Sequence, residues 1–286
     1  MAFPKLLQKL FQNGGAGPLL RSDIMPDGVA YIGVANNAGA HNSIYRGADI
    51  TSRHANGSLS SQVQAGDFTD IFIGDYITAT TTANGSTVTT NWRVADIDYY
   101  MNTGDNTDND GKHHLVLVPD ACMFNAYMNS TDTTAGGYQG SAMWRTYIPM
   151  CVTAIRNTFG SSHVLSWRTA LSNVVNNDKL SMAGDGLGGA ASINWDSGWT
   201  TATADLMSEA QLYGTGVFSS SYADYWLKKT QFSLFRLNRQ AINIRADYWL
   251  SSVASGTNFA TCLWGGYADT WSASGVIGVR PHFLYH

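Results

Sequence analysis

Charge is what this chain has least of: only 13% of its 286 residues are Asp, Glu, Lys or Arg, against about a quarter in soluble proteins generally. With 17 Lys and Arg against 21 Asp and Glu, and no basic run, it lacks the phosphate-neutralising footprint of a nucleic-acid binder. No apolar run reaches 18 residues, so no membrane-spanning helix is expected. Cysteine is equally scarce. Cys122, Cys151 and Cys262 lie too far apart for a CxxC pair or a zinc knuckle, and an odd number cannot pair fully within one chain. Three buried or half-buried thiols in a protein assembled in a reducing cytoplasm are expected. What replaces charge is 29 Gly with tracts of Ser, Thr and Asn, while 9 Trp, 14 Tyr and 11 Phe bury enough area to exclude disorder. Such a mixture is typical of extracellular and virion β-rich proteins, and the length suits one large domain or two small ones.

Residues 1–11 place Phe3, Leu6, Leu7, Leu10 and Phe11 at helical spacing, opposite Lys5, Gln8 and Lys9. The two lysines interrupt the apolar core a signal peptide would need. The glycine-rich break that follows, residues 13–18, frees this helix to pack on its own domain or to attach to sister subunits or a larger particle.

From Asp67 onward short strands predominate. Residues 70–77 and 87–95 read as strands, with a hairpin turn at Asn84-Gly85 before the second, and the apolar run 115–119 reads as a central strand. Helices are expected over 149–159, stopped by Gly160, over 166–175, capped by Ser166, and over 203–213, stopped by Gly214. The last hundred residues return to β signals, so the class is α+β with few helices. Ala-Asp-Tyr-Trp-Leu occurs at 223–227 and again at 246–250, and Ala-Asp-Thr-Trp follows at 268–271; the flanking residues do not share the period, which argues against a solenoid.

Sites of known chemistry are incomplete. Residues 105–111 resemble half of a calcium loop, but Leu117 stands where the bidentate Glu should be. His113, His114 and His163 with Cys122 or Cys151 have no spacing that marks a nucleophile pair. The glycine-rich run 185–189 lacks the Lys-Ser/Thr of a phosphate loop. No metal, no cofactor and no enzymatic activity are expected. The last forty residues instead alternate large rings with Ser, Thr, Asn, Asp and Gly, a mixture suited to recognition because rings supply rigid contact area and small polar groups adapt their hydrogen bonds. Trp249, Leu250 and Phe283 read as core; Leu263, Trp264, Tyr267, Asp269 and Trp271, interrupted by Gly265-Gly266, read as an exposed loop.

The combination of residues 248–253 (YWLSSV), 258–260 (NFA), 266–269 (GYAD), 272–274 (SAS) and 278–281 (GVRP) resembles the C-terminal domain of phage and prophage tail proteins. That domain falls within the broad C-type-lectin-like and formylglycine-generating-enzyme-like group. Residues 1–26, 40–47, 73–76, 112–120 and 125–131 are similar to other parts of such proteins. The resemblance implies a virion protein assembled in the host cytoplasm: a homotrimeric tail-fibre tip, joined to other tail proteins, whose partner is a bacterial surface glycan or protein receptor. Residues 1–26 would attach or trimerise, 27–66 would connect, and 67–286 would form the lectin-like domain. The calcium-lectin ligand stretch is absent, with only Asn194-Trp195-Asp196 in another order, and Cys262 alone does not supply the oxidase cysteine pair. Some relatives on this scaffold are diversified by retroelements. The face so varied would here comprise Ser255, Thr257, Asn258, Thr261, Leu263, Trp264, Tyr267, Asp269, Thr270 and Trp271. A structural baseplate or decoration subunit is the alternative role.

Overall fold

The structure, a computed structural model, describes residues 35–103, 111–170, 174–176, 179–181, 199–218 and 230–286. The chain divides into Met1–Asn36 and Asn37–His286. Of the first unit only residues 35 and 36 are described, so the expected attachment face of Phe3, Leu6, Leu7, Leu10 and Phe11 lies outside the described residues. The second unit is mixed α+β, as expected, and no described helix is long and apolar enough to cross a membrane. It begins well before Asp67. Residues 37–66, expected as part of a connector, supply three short helices, Ala38–His41, Thr51–Ala55 and Ser58–Gln64, and place Ile50, Leu59 and Val63 in the core.

Strands are numbered in chain order. The Asn84-Gly85 turn has positive φ at both residues, 47° and 76°, the geometry of a tight two-residue hairpin. It joins β1 (Tyr76–Ala83) to β2 (Ser86–Ile97), and Thr80 and Thr82 lie opposite Thr89 and Thr87 with hydroxyl–hydroxyl distances of 2.8 and 3.0 Å. This exposed threonine ladder is one place where hydroxyls stand in for the missing charges. β3 (Leu115–Pro119) is wholly buried, as its apolar run predicts, and is followed by β4 (Phe124–Ala126). The expected strand over 70–77 forms only from Tyr76. Asp70 and Gly74 have φ of 62° and 85°, and buried Asp75 accepts hydrogen bonds from Phe72 N, Ala48 N and Arg46, holding the segment as a loop.

The helix Ile148–Phe159 ends at Gly160 as expected; it turns Ile148, Cys151, Ile155 and Phe159 inward, and Phe159 meets Trp92 and Phe283 at centroid distances of 5.4 and 4.9 Å. The helix expected over 166–175 does not form. β6 (Trp167–Ala170) and the start of β7 (Val174–Asn176) occupy that stretch instead, after β5 (Val164–Leu165), and β7 pairs with β8 (Lys179–Ser181). β6 pairs with β9 (Trp199–Ala202), so cross-strand partners override the local helix signal. The segment 203–213 divides likewise: β10 (Ala204–Leu206) precedes a short helix, Glu209–Tyr213, that Ser208 and Gln211 start as a capping box and Gly214 ends.

The last strands are β11 (Tyr248–Val253), β12 (Asn258–Cys262), β13 (Ala268–Ser272), β14 (Ile277–Val279) and β15 (Pro281–Tyr285). One sheet runs β1-β2-β3-β15-β10, with β5 also on β15; the other runs β13-β12-β11-β14-β4, with β11 and β14 parallel. Arg280 is the single residue between β14 and β15, where the chain passes from one sheet to the other. It is fully buried, and no carboxylate lies within ion-pair distance among the described residues. Its guanidinium donates to Pro119 O (2.9 Å), Ala241 O (3.0 Å), Tyr248 Oη (3.0 Å) and Ile242 O (3.5 Å), and it lies 5.0 Å from the Tyr248 ring centroid.

Candidate functional site

The ten residues expected on a recognition face fall on the β12–β13 hairpin and its approaches. Ser255, Thr257 and Asn258 make the turn from β11 into β12. Ser255 Oγ accepts from Asn258 N at 3.0 Å and Thr257 N at 3.3 Å, and Thr257 Oγ1 donates to Asn258 Oδ1 at 2.8 Å. At the other end, Leu263 to Tyr267 close the hairpin. Gly266 N donates to Leu263 O at 2.7 Å, Leu263 N donates to Tyr267 O at 3.0 Å, and Gly266 sits at φ 86°, where a side chain would be strained. Trp264 N donates to Asp247 Oδ1 at 2.6 Å, tying the turn to the residue before β11.

Trp264, Tyr267 and Trp271 are 60%, 53% and 40% exposed, while Trp249, Leu250 and Phe283 are buried as the sequence suggests. Leu263, Asp269 and Thr270 are half-buried. Thr261 departs from the expectation: it is fully buried, because β12 is an inner strand whose Thr261 lies between Trp249 on β11 and Asp269 on β13. It cannot touch a receptor without unfolding the sheet.

Two of the exposed rings lie on glycines. A Cβ on Gly265 would come within 2.4 Å of Tyr267 Cε1, and one on Gly275 within 3.4 Å of Trp271 Cδ1. The Tyr267 ring thus occupies space that a side chain at position 265 would need, and the edge of the Trp271 ring lies within contact range of one at position 275. No described ring or cation stacks on Trp264, Tyr267 or Trp271. β13 is the last strand of its sheet, yet its free edge is partly closed: Thr270 N is held by Asp269 Oδ1 at 2.8 Å, and Ser272 O by Gly275 N at 2.8 Å. Such closure disfavours strand addition and leaves contact to side chains. Beside Trp271, Ser274 donates through N (3.1 Å) and Oγ (2.6 Å) to Asp132 Oδ1, bonds that hold the Asp132 carboxyl below its ordinary pKa.

The other candidate chemistry is muted by burial. Burial pushes the Cys122 thiol up to about 12 and raises those of Cys151 and Cys262, so each stays protonated at neutral pH and is a poor nucleophile. His113 Nδ1 lies 2.7 Å from Asp98 Oδ2, and His114 is fully buried. No group of three or more His, Cys, Asp or Glu among the described residues is placed to hold a metal. The half calcium loop lies almost wholly outside the described residues, as do the glycine-rich run 185–189 and Asn194-Trp195-Asp196. Elsewhere an open polar groove of about 850 Å³ runs past Arg53, Gln62 and Asp70, but Arg53 already donates to Asp70 O (2.7 Å) and to Gln62.

The rings are legible in the sequence, and the residues that make room for them and tie down their turn are not. Gly265, Gly275 and Asp247 act on the site, and the only signal for the glycines was their position beside large aromatics. No protein-family model matches the chain, and neither a curated protein nor a solved structure does.

Proposed function

We propose that this protein is a non-enzymatic recognition protein that binds a bacterial surface glycan or protein through the β12–β13 hairpin. The observation that carries the reading is the exposure of Trp264, Tyr267 and Trp271 on one hairpin, two of them beside glycines that leave room for their rings. Exposed large rings in a sparsely charged surface contribute binding energy at low entropic cost and are the residue types that dominate interface energetics. Ser255, Thr257, Asn258, Leu263, Asp269 and Thr270 surround them as adaptable contacts. Thr261 drops out of the contact set.

The setting we assign rests on the sequence resemblance: a C-type-lectin-like domain at the tip of a phage tail fibre, trimeric, joined to other tail proteins through residues 1–26. Retroelement diversification of the hairpin belongs to the same proposal. The test is adsorption of purified protein to a panel of bacterial cells. Trp264→Ala with Trp271→Ala should abolish binding while the melting temperature stays within about 2 °C, as expected for exposed positions. Retained binding by a folded double variant rejects the site.

A further inference from the structure

Alternation along β1 and β2 puts Thr78, Thr80 and Thr82 on one face with their directly paired partners Asn91, Thr89 and Thr87. All five threonines are exposed, and Asn91 is half-buried. Thr80–Thr89 and Thr82–Thr87 are hydroxyl pairs at 2.8 and 3.0 Å, and Thr78 Oγ1 donates to Asn91 Oδ1 at 2.9 Å. Within each threonine pair one hydroxyl donates to the other, which leaves the second proton and spare lone pairs for an outside group. The bond from Thr78 uses only the oxygen of Asn91, so that row adds an amide donor. The next row on the same face is Tyr76 with Arg93. The Arg93 guanidinium lies 5.2 Å from the Tyr76 ring centroid; its Nε donates to both oxygens of Asp120, at 2.7 and 2.9 Å, and its Nη1 to Gly74 O at 3.1 Å. The ring of Tyr45, 39% exposed, fills the space that a side chain at Gly74 would need, so Arg93 and an exposed ring meet at one residue. Rows recur about every 6.8 Å along the strands, and the polar strip from Thr82 to Tyr76 runs roughly 20 Å.

Three features restrict what fits this strip. Its cation is neutralised, Arg93 by Asp120, and Arg46 next to Tyr45 is neutralised by Asp75 and Asp70, so an anionic chain gains little here. β1 is the last strand of its sheet, but Thr78 N is held by Thr51 Oγ1 at 2.8 Å and Thr80 O by Thr158 Oγ1 at 3.1 Å, which blocks addition of another strand along this stretch. The threonine rows present hydroxyls in place of the large anchors on which protein interfaces depend. A sugar chain matches what is left, because it carries closely spaced hydroxyls that both donate and accept, and C–H faces that stack on a ring. We propose that this face binds an extended uncharged glycan laid along the hairpin, with one sugar on Tyr45 and its neighbours exchanging hydrogen bonds with the threonine rows. The paired strands fix the hydroxyl spacing before a ligand arrives, and β-branched threonine has little rotamer freedom to lose on docking. The β12–β13 hairpin lies in the other sheet, and this second site stands whether or not that hairpin binds.

The full chain would be run by affinity electrophoresis through native gels containing dextran, galactomannan or hydroxyethyl cellulose, with polygalacturonate as the charged control. At least one uncharged polymer should retard the protein, and polygalacturonate should not. Thr80→Val with Thr89→Val removes two hydroxyls and keeps the β-branched shape. It should weaken retardation about tenfold through the lost hydrogen bonds, with a melting temperature within about 2 °C of wild type. Thr82→Val with Thr87→Val, one row along, should act likewise, and Trp264→Ala with Trp271→Ala should leave retardation intact. The proposal is overturned if no uncharged polymer retards the protein, if polygalacturonate retards it equally, or if the folded valine variants are retarded as strongly as wild type. Retardation lost in the tryptophan variant and kept in the valine ones would give the glycan to the β12–β13 hairpin instead. Sedimentation velocity tests the other occupant: a wild-type oligomer that dissociates in the valine variants would assign the face to a second copy of this chain and overturn the proposal as well.

Discussion

Arg280 offers the sharpest test of how the sheet that carries the β12–β13 hairpin is held. It bridges Pro119, at the end of β3 in one sheet, to Tyr248, at the start of β11 in the other, and also binds Ala241 and Ile242 in the segment leading into β11. Arg280→Met keeps the apolar stem and removes the guanidinium. Ile242 O retains the Tyr248 hydroxyl as a donor at 2.9 Å, but Pro119 O and Ala241 O lose the donors shown here. Each stranded buried carbonyl costs roughly 1–3 kcal/mol. Relief from burying a guanidinium without a carboxylate offsets part of that. A net loss of about 3 kcal/mol is expected, a substantial fraction of the 5–15 kcal/mol that holds a domain together. At roughly 2–4 °C per kcal/mol for a unit of this size, the melting temperature should fall by about 6–12 °C. Thermal unfolding followed by circular dichroism measures it, and Arg280→Lys should lie between, since an ammonium keeps the charge without the planar fork. A melting temperature within about 2 °C of wild type, or higher, would refute the view that these hydrogen bonds outweigh the desolvation of the charge.

Other outcomes follow from the same geometry. Gly265→Val should displace the Tyr267 ring and weaken cell adsorption while costing no more than about 1 kcal/mol of stability, the range for an exposed turn, as denaturant titration would show; unaltered adsorption would mean that the ring's seat is immaterial. Burial lowers the pKa of His41, His54 and His114 from the ordinary 6.5, so the folded state resists protons that the unfolded chain accepts. Stability should therefore fall as pH drops below about 6.5, where unfolded histidines begin to charge. Asp96 works in the opposite sense: burial raises it to about 6, so its contribution is greatest when protonated and is lost as pH rises from 3.8 towards 6. Melting temperatures between pH 8 and 5 should show the histidine loss, tempered below pH 6; a flat profile counts against both assignments. Native protein should leave Cys151 and Cys262 unlabelled by a thiol reagent over minutes, with full labelling after denaturation; rapid native labelling would contradict their raised pKa values and burial.

Local chemistry was legible wherever it was self-sufficient. Asn84-Gly85 needs only its own positive φ values to turn a hairpin. The apolar run at 115–119 needs only water to be driven inward. Gly160 and Gly214 end helices by their own backbone freedom. Where a segment depended on distant partners the reading failed. Trp167 to Ala170 carry a helix-compatible pattern but pair with residues 199–202. Thr261 looks like its polar neighbours until Trp249 and Asp269 close over it from either side.

The proposed recognition face divides the same way. Composition and the interleaving of rings with small polar residues after Tyr248 determined that this stretch is suited to contact, because those properties belong to each side chain alone. Which rings remain outside was a tertiary decision. Trp249 is swallowed by the sheet that β11 centres, whereas Trp264, Tyr267 and Trp271 stay exposed because they lie on a turn and an edge strand. The scarcity of charge was visible from the first count. Only the fold shows that Asp247, one of two carboxylates in the cation-free stretch 246–279, is engaged by Trp264 N, because a partner 17 residues away comes within hydrogen-bond reach only once the strands fix their spacing.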